Sequence, residues 1–392
     1  MSPTRLTVPI STRYYSPVFD TFRVRVFGFN ALLSHFVAMS KAEKDPDVTL
    51  ASPASDSKGR LSGHAARYAK VYQFFGFTRG YNFPLWVIFA GGMLGFSLSR
   101  LPDLDYDGHF KSGFNETFGL APGYWYYFQK GHYRYGMLIH LACILPAGIL
   151  MTLQFTPVIR HKFLLFHRIN GYIVILLCLV STGAAFVIIR HQQGGNRSSL
   201  QAVEALLGIM ATFGILIAWW NIRRKQIDQH RAWMLRSMIW MGAIITSRIV
   251  NLAAIPIATR NRNAWAVWMC DEISFLYATA GMQFPKAAYP DCFLPDGSLD
   301  RWKRVAVLAV ENPDMPEQLG SVVYISYGAI LWLCLFLHVV GVELYLWMTP
   351  RESERLRRVS YEKQLEAGYR NPGSAGLVLD RWADADAWTP AK

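Results

Sequence analysis

Three charged side chains within long apolar stretches are the residues of this sequence best suited to chemistry. Arg248 lies deep in one stretch, where a charge is costly unless a carboxylate or a ligand compensates it. Glu204 and Glu343 lie in two other stretches and are the predicted counter-ions. A guanidinium group that binds a substrate and a carboxyl group that exchanges its proton would together support acid–base catalysis. The alternative is structural, with Arg248 joining two helices through a carboxylate.

The adjacent pair Asp271 and Glu272 is a second candidate for acid–base chemistry, because it lies within the apolar segment 264–284. Buried carboxyl groups suit general acid catalysis, since burial favours their protonated form. The same segment holds aromatic residues that fit an apolar polycyclic or isoprenoid substrate, or equally an aromatic belt at a membrane interface. These are Trp265, Trp268, Phe275 and Tyr277.

Two His-Arg pairs occur in the same setting, each at the start of an apolar stretch. One is His167 in HRINGY, and the other is His230 in QHRAWMLRS. Two histidines on facing helices can ligate a haem iron from both sides, so both are predicted ligands of one haem b. The haem propionates would then pair with neighbouring guanidinium groups. The candidates for that role are Arg168, Arg231 and Arg236.

The His-Arg pairs allow two other interpretations. They can bind lipid headgroups or an anionic substrate, or they can be boundary residues whose polar tips reach the membrane surface. His140 is a further candidate for cofactor binding, but the fourth apolar stretch offers it no histidine partner, so a second haem is not indicated. The sequence has no Walker, HExxH, GxSxG or dinucleotide-binding motif, and no inverted repeat typical of secondary transporters.

The elements that carry these residues are predicted to be membrane helices. Of the 392 residues, 52% are hydrophobic and 17% are charged, whereas soluble domains carry about a quarter charged residues. The net charge of +13 is not arranged as a basic stripe with interleaved aromatic residues, which argues against nucleic-acid binding. The composition predicts an all-α polytopic membrane helix bundle with about six transmembrane helices, seven being possible.

Six apolar runs approach the roughly 20 residues that a helix needs to cross a bilayer. They are named spans one to six and are predicted at residues 83–99, 136–155, 170–189, 201–220, 233–257 and 322–348. The segment 264–284 is also apolar, but its acid pair favours an interfacial or re-entrant helix, with a seventh span as the alternative.

Lysine and arginine residues set the predicted orientation, with both termini in the cytosol. The inner flanks of the spans then hold 15 Lys and Arg in 66 residues, and the outer loops hold 12 in 112. The domains are a largely flexible cytosolic N-terminal tail, a transmembrane domain that contains a family-like core and an outer loop, and a cytosolic C-terminal tail. The N-terminal tail is residues 1–80, the transmembrane domain is residues 81–348, and the C-terminal tail is residues 349–392. Within the transmembrane domain, the family-like core is residues 136–256 and the outer loop is residues 258–321.

The predicted outer loops carry features of an oxidising compartment. Asn115 and Asn196 begin the two Asn-x-Ser/Thr sequons and are predicted glycosylation sites. Cys270 and Cys292 share the long outer loop and would form a disulfide in an oxidising lumen. We therefore predict the endoplasmic reticulum or another endomembrane. The arginine-rich N-terminus leaves the mitochondrial inner membrane as the alternative.

The motifs of spans two to five follow one pattern: a span with an early His and a final Gln-Phe, two His-Arg helix starts, and a late Arg. The residues that carry it are His140, Gln154, Phe155, His167, Arg168, Gly171, His230, Arg231, Trp233, Met234, Arg236, Ser237 and Arg248. In this pattern residues 136–256 resemble DUF2306, a family of predicted membrane proteins. Two departures from the family pattern are Thr152-Leu153 in place of Gly-Pro and an early Tyr172. Glu343 would match the acid in the family's last span, whereas the tails and the loop 258–321 lie outside the resemblance.

The resemblance implies a multipass membrane architecture and no particular reaction. A looser similarity to the ascorbate-type transmembrane b cytochromes is one of layout only. The first hypothesis is a membrane oxidoreductase or redox accessory that binds haem b. The second is a haem-free cyclase or isomerase of specialised metabolism acting on an apolar metabolite, and the third is a transporter or scaffold. The expected partners are the lipid bilayer and an apolar small molecule.

Overall fold

The computed structural model describes residues 63–111, 122–194, 198–260 and 262–390. Within these ranges six helices are long and apolar enough to cross a membrane, which confirms the prediction of an all-α polytopic bundle. Spans one to six are Asn82–Ser99, Gly131–Gln154, Leu164–His191, Ser198–Arg223, Ile227–Arg260 and Pro316–Trp347.

Several helices begin earlier than their apolar runs. Span three starts at Leu164 rather than at residue 170, and span five starts at Ile227 rather than at residue 233. Backbone hydrogen bonding continues through these polar first turns, where hydropathy alone gives no signal. As a result His167 and His230 lie within the first turns of their helices and not in front of them.

Contacts between the loops define two ends of the bundle. At one end, the N–H of Val158 donates to the carbonyl of Phe75 at 3.0 Å, and the hydroxyl of Tyr345 donates to Asn82 Oδ1 at 3.2 Å. This end is named the basic end, because it carries most of the predicted inner arginines. The opposite end, named the cap end, contains the segments 101–111, 122–128 and 262–315.

Short helices complete both ends. At the basic end they are Pro157–Lys162, Pro350–Glu366 and Leu379–Trp382, and Gly63–Phe74 precedes span one. At the cap end they are Tyr124–Phe128 and Cys270–Thr279, with 3₁₀ turns at Leu101–Leu104, Ile189–Gly194 and Pro290–Cys292 and a π-helical turn at Tyr106–Phe110. The helix Gly63–Phe74 lies within the tail predicted to be flexible, whereas residues 1–62 of that tail lie outside the described residues.

Span five is interrupted in its middle. It consists of the α-helices Ile227–Met241 and Ala243–Arg260, with a turn at Gly242 between them. The N–H of Gly242 donates to the carbonyls of Met238 and Ile239, and the N–H of Thr246 donates to the carbonyl of Gly242, so the two helices remain joined by backbone hydrogen bonds.

His338 of span six packs against this interruption. Its ring contacts Gly242 so closely that a Cβ there would lie 3.2 Å from His338 Cε1. Its Nδ1 forms a hydrogen bond with the carbonyl of Ile239, and its Nε2 lies 2.9 Å from the hydroxyl of Thr246. Both ring nitrogens thus satisfy polar groups at the interruption, so His338 stabilises the shape of span five.

The segment 264–284 does not form a seventh span. Its first part is strand β1, Trp265–Met269, which pairs antiparallel with strand β2, Arg304–Leu308. Its second part is the cap helix, Cys270–Thr279, whose ten residues are too few to cross a bilayer. The aromatic and β-branched residues of WAVWM and RVAVL favour strand pairing, a signal that hydropathy does not separate from that of a helix.

A disulfide fastens this hairpin, as predicted. Cys270 at the start of the cap helix is bonded to Cys292, with a Cα–Cα distance of 5.6 Å. Both cysteines are fully buried in an aromatic core that includes Trp268, Tyr277 and Tyr289. The cap end is therefore a small folded layer on the bundle and not an open loop.

Two of the buried cores lie between the spans, and the outer surface of the bundle is apolar. One core joins spans four, five and six through Leu207, Trp240 and Leu331, and a second joins spans two to five around Met151 and Cys178. Large apolar side chains also point outward from the helices, among them Leu176, Phe213 and Phe336, each more than 60% exposed. Such surfaces are favourable against lipid tails and unfavourable in water.

The C-terminal region folds onto the basic end. The helix Pro350–Glu366 packs against span five, and its buried Gln364 donates to Gln226 Oε1 at 3.0 Å. Ser360 of the same helix donates to Asp228 Oδ1 at 3.0 Å. All four side chains in these two pairs are buried, and each has a partner, so the helix is fixed in one register.

Candidate functional site

Arg248 projects from the second helix of span five. Its side chain is half-buried, and its Nε–H is buried with no acceptor among the described residues. The guanidinium carbon lies 5.7 Å from the ring centroid of Phe96 on span one, a cation–π distance. A buried donor without an acceptor costs about 1–3 kcal/mol. The site therefore suits an oxygen atom supplied by a ligand or by water.

Glu204 of span four is the acid that interacts electrostatically with Arg248. Its side chain is also half-buried. In the part of the chain that the structure describes, no hydrogen bond or ion pair joins the two groups directly. The structure thus brings together the predicted cation and one predicted counter-ion, but leaves them separated.

Two buried tyrosines surround this charge pair. Tyr327 of span six forms a hydrogen bond with Ser247 at 3.1 Å, and Tyr124 lies in the short helix before span two. Both hydroxyl groups interact with Arg248 and Glu204. Burial raises the pKa of Tyr124 and the charge of Arg248 lowers it, so its phenol remains a proton donor at neutral pH. The four residues Arg248, Glu204, Tyr124 and Tyr327 are named the central site.

The sequence alone did not single out either tyrosine. Tyr124 belongs to the aromatic run YWYYF, which looks like an interfacial belt, and Tyr327 is one of several aromatic residues on span six. Helical spacing would not have found them, because neither tyrosine lies on the same helix as Arg248 or Glu204. Only the packing of separate elements brings them to Arg248.

Arg100 is a second cation near the central site. Burial lowers the pKa of Arg100, the charge of Arg248 lowers it further, and Asp103 raises it. Asp103 is buried and lies 3.6 Å from Arg100, and it also accepts a hydrogen bond from His109 at 3.0 Å. Because Asp103 balances Arg100, Glu204 is left as the acid that interacts with Arg248.

His140 lies at the edge of the same region. Its Nδ1 is 3.1 Å from the carbonyl of Ser181 and 2.9 Å from that residue's hydroxyl. These contacts join span two to span three, and His140 also interacts electrostatically with Arg248. The structure therefore associates His140 with the central site and not with the two histidines of the basic end.

His167 and His230 come together at the basic end. They belong to spans three and five and interact electrostatically with each other. The Nδ1 of His230 donates to the carbonyl of Ala218 at 3.0 Å, which leaves its Nε2 as the atom with a free lone pair. The Nδ1 of His167 is buried and has no partner among the described residues. The structure therefore leaves one nitrogen of each imidazole without a hydrogen-bond partner among the described residues.

The arginines predicted to hold haem propionates have different surroundings. Arg231 donates to the hydroxyl of Tyr345 at 3.4 Å and lies over its ring. Arg236 forms a two-point ion pair with Glu343, at 2.6 and 2.9 Å. Arg168 is exposed. Glu343 is therefore the partner of Arg236 and, among the described residues, forms no ion pair with Arg248, the cation it was expected to balance.

The family motif around Gln154 and Gly171 has a structural explanation. The amide of Gln154 donates to the carbonyl of His167 at 2.8 Å and accepts from Asn170 at 2.9 Å. A Cβ on Gly171 would lie 2.6 Å from Gln154 Nε2. A side chain at position 171 would therefore displace the Gln154 amide, so glycine leaves room for the hydrogen bond that holds His167 in place.

Asp271 and Glu272 begin the cap helix and are held by tyrosines. Glu272 is buried and accepts from Tyr324 at 2.8 Å and from Tyr127 at 3.1 Å. Asp271 accepts from Tyr126 at 2.7 Å. These hydrogen bonds join the cap helix to span six and to the segment before span two, so both acids contribute to the assembly of the cap end.

Two further predictions concern glycosylation and the binding of a metal ion. Asn115 and Asn196 lie outside the described residues, so the glycosylation sites stay predictions. Among the described residues, no group of three or more His, Cys, Asp and Glu side chains could hold a metal ion. A haem iron with two axial histidines needs only a pair, so that prediction stays open to experiment.

Six helices are long and apolar, their outward-facing side chains are apolar, and the charges lie in the bundle interior and at its ends. These features define a multipass integral membrane protein. Residues 137–278 match the model of a family described as predicted membrane protein DUF2306, which confirms the resemblance seen in the motifs. No curated protein and no solved structure matches the chain.

The family match reaches further than the sequence motifs indicated. It continues past residue 256 and includes β1 and most of the cap helix, with Cys270, Asp271 and Glu272. The expectation that the loop 258–321 lies wholly outside the family is therefore wrong. The match contains Arg248 and Glu204, but ends before span six.

Proposed function

We propose that this protein is a membrane-embedded enzyme that performs acid–base chemistry on an apolar small molecule at the central site. The observation that carries the proposal is the separation of Arg248 and Glu204, two opposite charges without a direct bond between them. A purely structural ion pair gains most from close, direct contact. Charges held apart inside a bundle leave room for a polar group of a ligand between them.

The residues of the central site have complementary chemical roles in this proposal. Arg248 binds a carbonyl or carboxylate oxygen of the substrate and stabilises negative charge that develops on it. Glu204 exchanges a proton with a carbon or oxygen atom of the same molecule. Tyr124 and Tyr327 donate hydrogen bonds that fix its orientation, and Phe96 supplies an apolar wall. Isomerisation and cyclisation are reactions that these groups support without a redox cofactor.

The proposal is tested by comparing lipophilic metabolites of cells that express the wild type, Arg248→Lys or Glu204→Gln at equal protein levels. Each variant keeps the side-chain size, so we expect normal accumulation in the membrane and at least about a hundredfold loss of the product, as for the removal of a general acid or base. The matched controls are Arg260→Lys on the same helix and Glu311→Gln in the cap. A product level unchanged in both variants would overturn the proposal.

A second candidate function, haem b binding, is favoured by the approach of His167 to His230. The lone pair on His230 Nε2 and the hydrogen bond from its Nδ1 to Ala218 follow the pattern of a histidine ligand held by a carbonyl. Arg231 and Arg168 are the cations nearest in sequence for the propionates. When bound, haem would supply one-electron chemistry, and His167 and His230 would hold its iron.

Absorbance of the purified protein, oxidised and reduced with dithionite, tests this second candidate. A Soret band that disappears in His167→Ala and His230→Ala, but remains in His161→Ala, is the result expected from haem ligation. His161 is the matched control because it lies nearby at the basic end and is exposed. A folded protein without a Soret band after expression with added haem precursor would remove this candidate.

The compartment can also be proposed. The buried disulfide between Cys270 and Cys292 supports exposure of the cap end to an oxidising lumen during folding. The arginines of the basic end would then face the cytosol, in agreement with the density of positive charge. Both features favour the endoplasmic reticulum or another endomembrane.

A further inference from the structure

The C-terminal segment folds back onto the loop between spans four and five. The N–H of Leu377 donates to Asn221 Oδ1 at 2.8 Å, and the N–H of Gly376 donates to Gln226 Oε1 at 3.0 Å. Asn221 and Gln226 are both fully buried, so these hydrogen bonds have little competition from water. The residues that follow Leu377 are therefore held at a fixed place beside the end of span four.

The short helix Leu379–Trp382 presents two large apolar side chains outward. Leu379 is 71% exposed and Trp382 is 60% exposed. Their spacing of three residues places them on one face of the helical turn. The indole N–H of Trp382 donates to the carbonyl of Gly376 at 3.1 Å, which satisfies the polar edge of the ring and leaves its apolar surface open. Two neighbouring apolar side chains on a fixed segment favour a non-aqueous environment.

Trp220 of span four shows the depth at which this helix lies. The rings of Trp220 and Trp382 meet edge to face, with their centroids 6.5 Å apart. Trp220 lies in the last turn of span four, which ends at Arg223. The guanidinium carbon of Arg224 lies 4.6 Å from the centroid of the Trp220 ring, and Lys225 follows. Trp382 therefore lies where an apolar span gives way to a basic loop, the level at which tryptophan is enriched in membrane proteins.

The exposed pair also adjoins the lipid-facing side of span four. Leu216 lies one turn before Trp220 on the same helix face and is exposed. The ring of Trp382 thus continues an apolar surface that already faces the acyl chains. This continuity favours lipid over a protein partner as the neighbour of Leu379 and Trp382.

We propose that the helix Leu379–Trp382 inserts into the interface of the bilayer at the basic end. Its two apolar side chains lie about 5–10 Å into the boundary between headgroups and acyl chains, as the apolar faces of interfacial helices do. The inserted helix ties the C-terminal segment to the membrane surface, and through Asn221 and Gln226 it also ties down the loop between spans four and five. The inference does not depend on the reaction at the central site.

Quenching by brominated lipid tests this anchor in phosphatidylcholine vesicles that contain the intact protein. A nitrobenzoxadiazole label is attached to Leu379→Cys in a Cys143→Ser background, because the other cysteines are buried or disulfide-bonded. With phosphatidylcholine brominated on its acyl chains in both leaflets, this label is expected to lose nearly as much fluorescence as a label at Leu216→Cys on span four. Ala385→Cys, an exposed position further along the same segment, is the matched control and is expected to lose little.

A label at Trp382→Cys keeps the test decisive if Leu379→Cys does not fold, and the same loss of fluorescence is expected there. Equal quenching at positions 379 and 385 would overturn the anchor, whether the quenching is strong or weak at both. So would a label at position 379 whose emission is shifted to the blue but is not quenched, because that result would show a protein segment and not lipid as its neighbour.

Discussion

Arg248 and Glu204 face each other from spans five and four, close enough to interact electrostatically but without a direct bond. The cation rests on the ring of Phe96, and its Nε–H has no acceptor among the described residues. A charge inside a membrane bundle is costly unless it is compensated, and this pair is compensated at a distance only. We infer that a ligand or a proton-carrying water completes the site.

Replacing Gly171 with alanine is predicted to destabilise the basic end. The added Cβ would lie 2.6 Å from Gln154 Nε2 and displace the amide that donates to the carbonyl of His167. Loss of that hydrogen bond and of its partner from Asn170 is expected to lower the free energy of unfolding by about 1–3 kcal/mol. The measurement is the thermal midpoint of the detergent-purified protein, followed by size-exclusion fluorescence.

Gly183→Ala on the same helix is the matched control, because nothing lies within 4 Å of a Cβ built there. It is expected to leave the midpoint unchanged or to raise it slightly, since alanine favours helix by about 1 kcal/mol over glycine. Equal midpoints for the two variants would show that the contact with Gln154 does not hold span three.

The disulfide gives a prediction about sidedness. In sealed vesicles whose lumenal face points outward, a cysteine introduced at Trp302, an exposed residue of the cap end, is expected to react with a membrane-impermeant maleimide, whereas the buried Cys270–Cys292 disulfide is not. A cysteine introduced at Arg351, at the basic end, is expected to stay unlabelled until the vesicles are opened. Labelling of both positions from one side would contradict the placement of the cap and the basic end on opposite faces.

The tyrosines that donate to cap-end acids predict a loss of stability at alkaline pH. Burial raises the pKa of Tyr126 and Tyr127 above the ordinary value of 10.0, and the carboxylates of Asp271 and Glu272 raise it further. A raised pKa in the folded state contributes stability that is fully present below pH 10 and is lost as the pH rises above it. The thermal midpoint should therefore fall as the pH rises above 10.

Tyr127→Phe should make that fall shallower, because it removes one of the groups whose ionisation is suppressed by folding. It should also lower the midpoint at pH 7, since Glu272 loses one donor. Tyr135→Phe, at an exposed position, is the control and should change neither. An identical pH profile for Tyr127→Phe and the wild type would exclude this tyrosine as the source.

The sequence predicted the spans well, because a bilayer requires long apolar helices and little else satisfies that requirement. It also offered Glu204 and Glu343 as counter-ions of Arg248, since a deep cation needs an acid and few acids lie in the spans; only the structure separates the two, because Glu343 pairs with Arg236. It did not predict the strand at Trp265–Met269, because a short apolar run with aromatic residues satisfies the pattern of a helix and that of a strand.

The arrangement of polar residues around the central site was harder to predict. Tyr124 and Tyr327 approach Arg248 from two other elements, and no spacing along the chain encodes such an approach. Glu272 was expected to titrate in catalysis, yet two tyrosines hold it in the cap. The interruption of span five at Gly242 also had no clear signal, because its partner His338 lies on another span.

The most direct test of the central site is a charge swap, Arg248→Glu combined with Glu204→Arg, compared with the wild type for membrane accumulation and for the lipophilic product. A swapped pair keeps the electrostatic attraction between spans four and five, so we predict that the double variant accumulates better than either single variant. We also predict that its product is lost, because the cation and the proton donor have exchanged places relative to the tyrosines. Full product formation by the swapped protein would contradict the account and show that the pair only joins two helices.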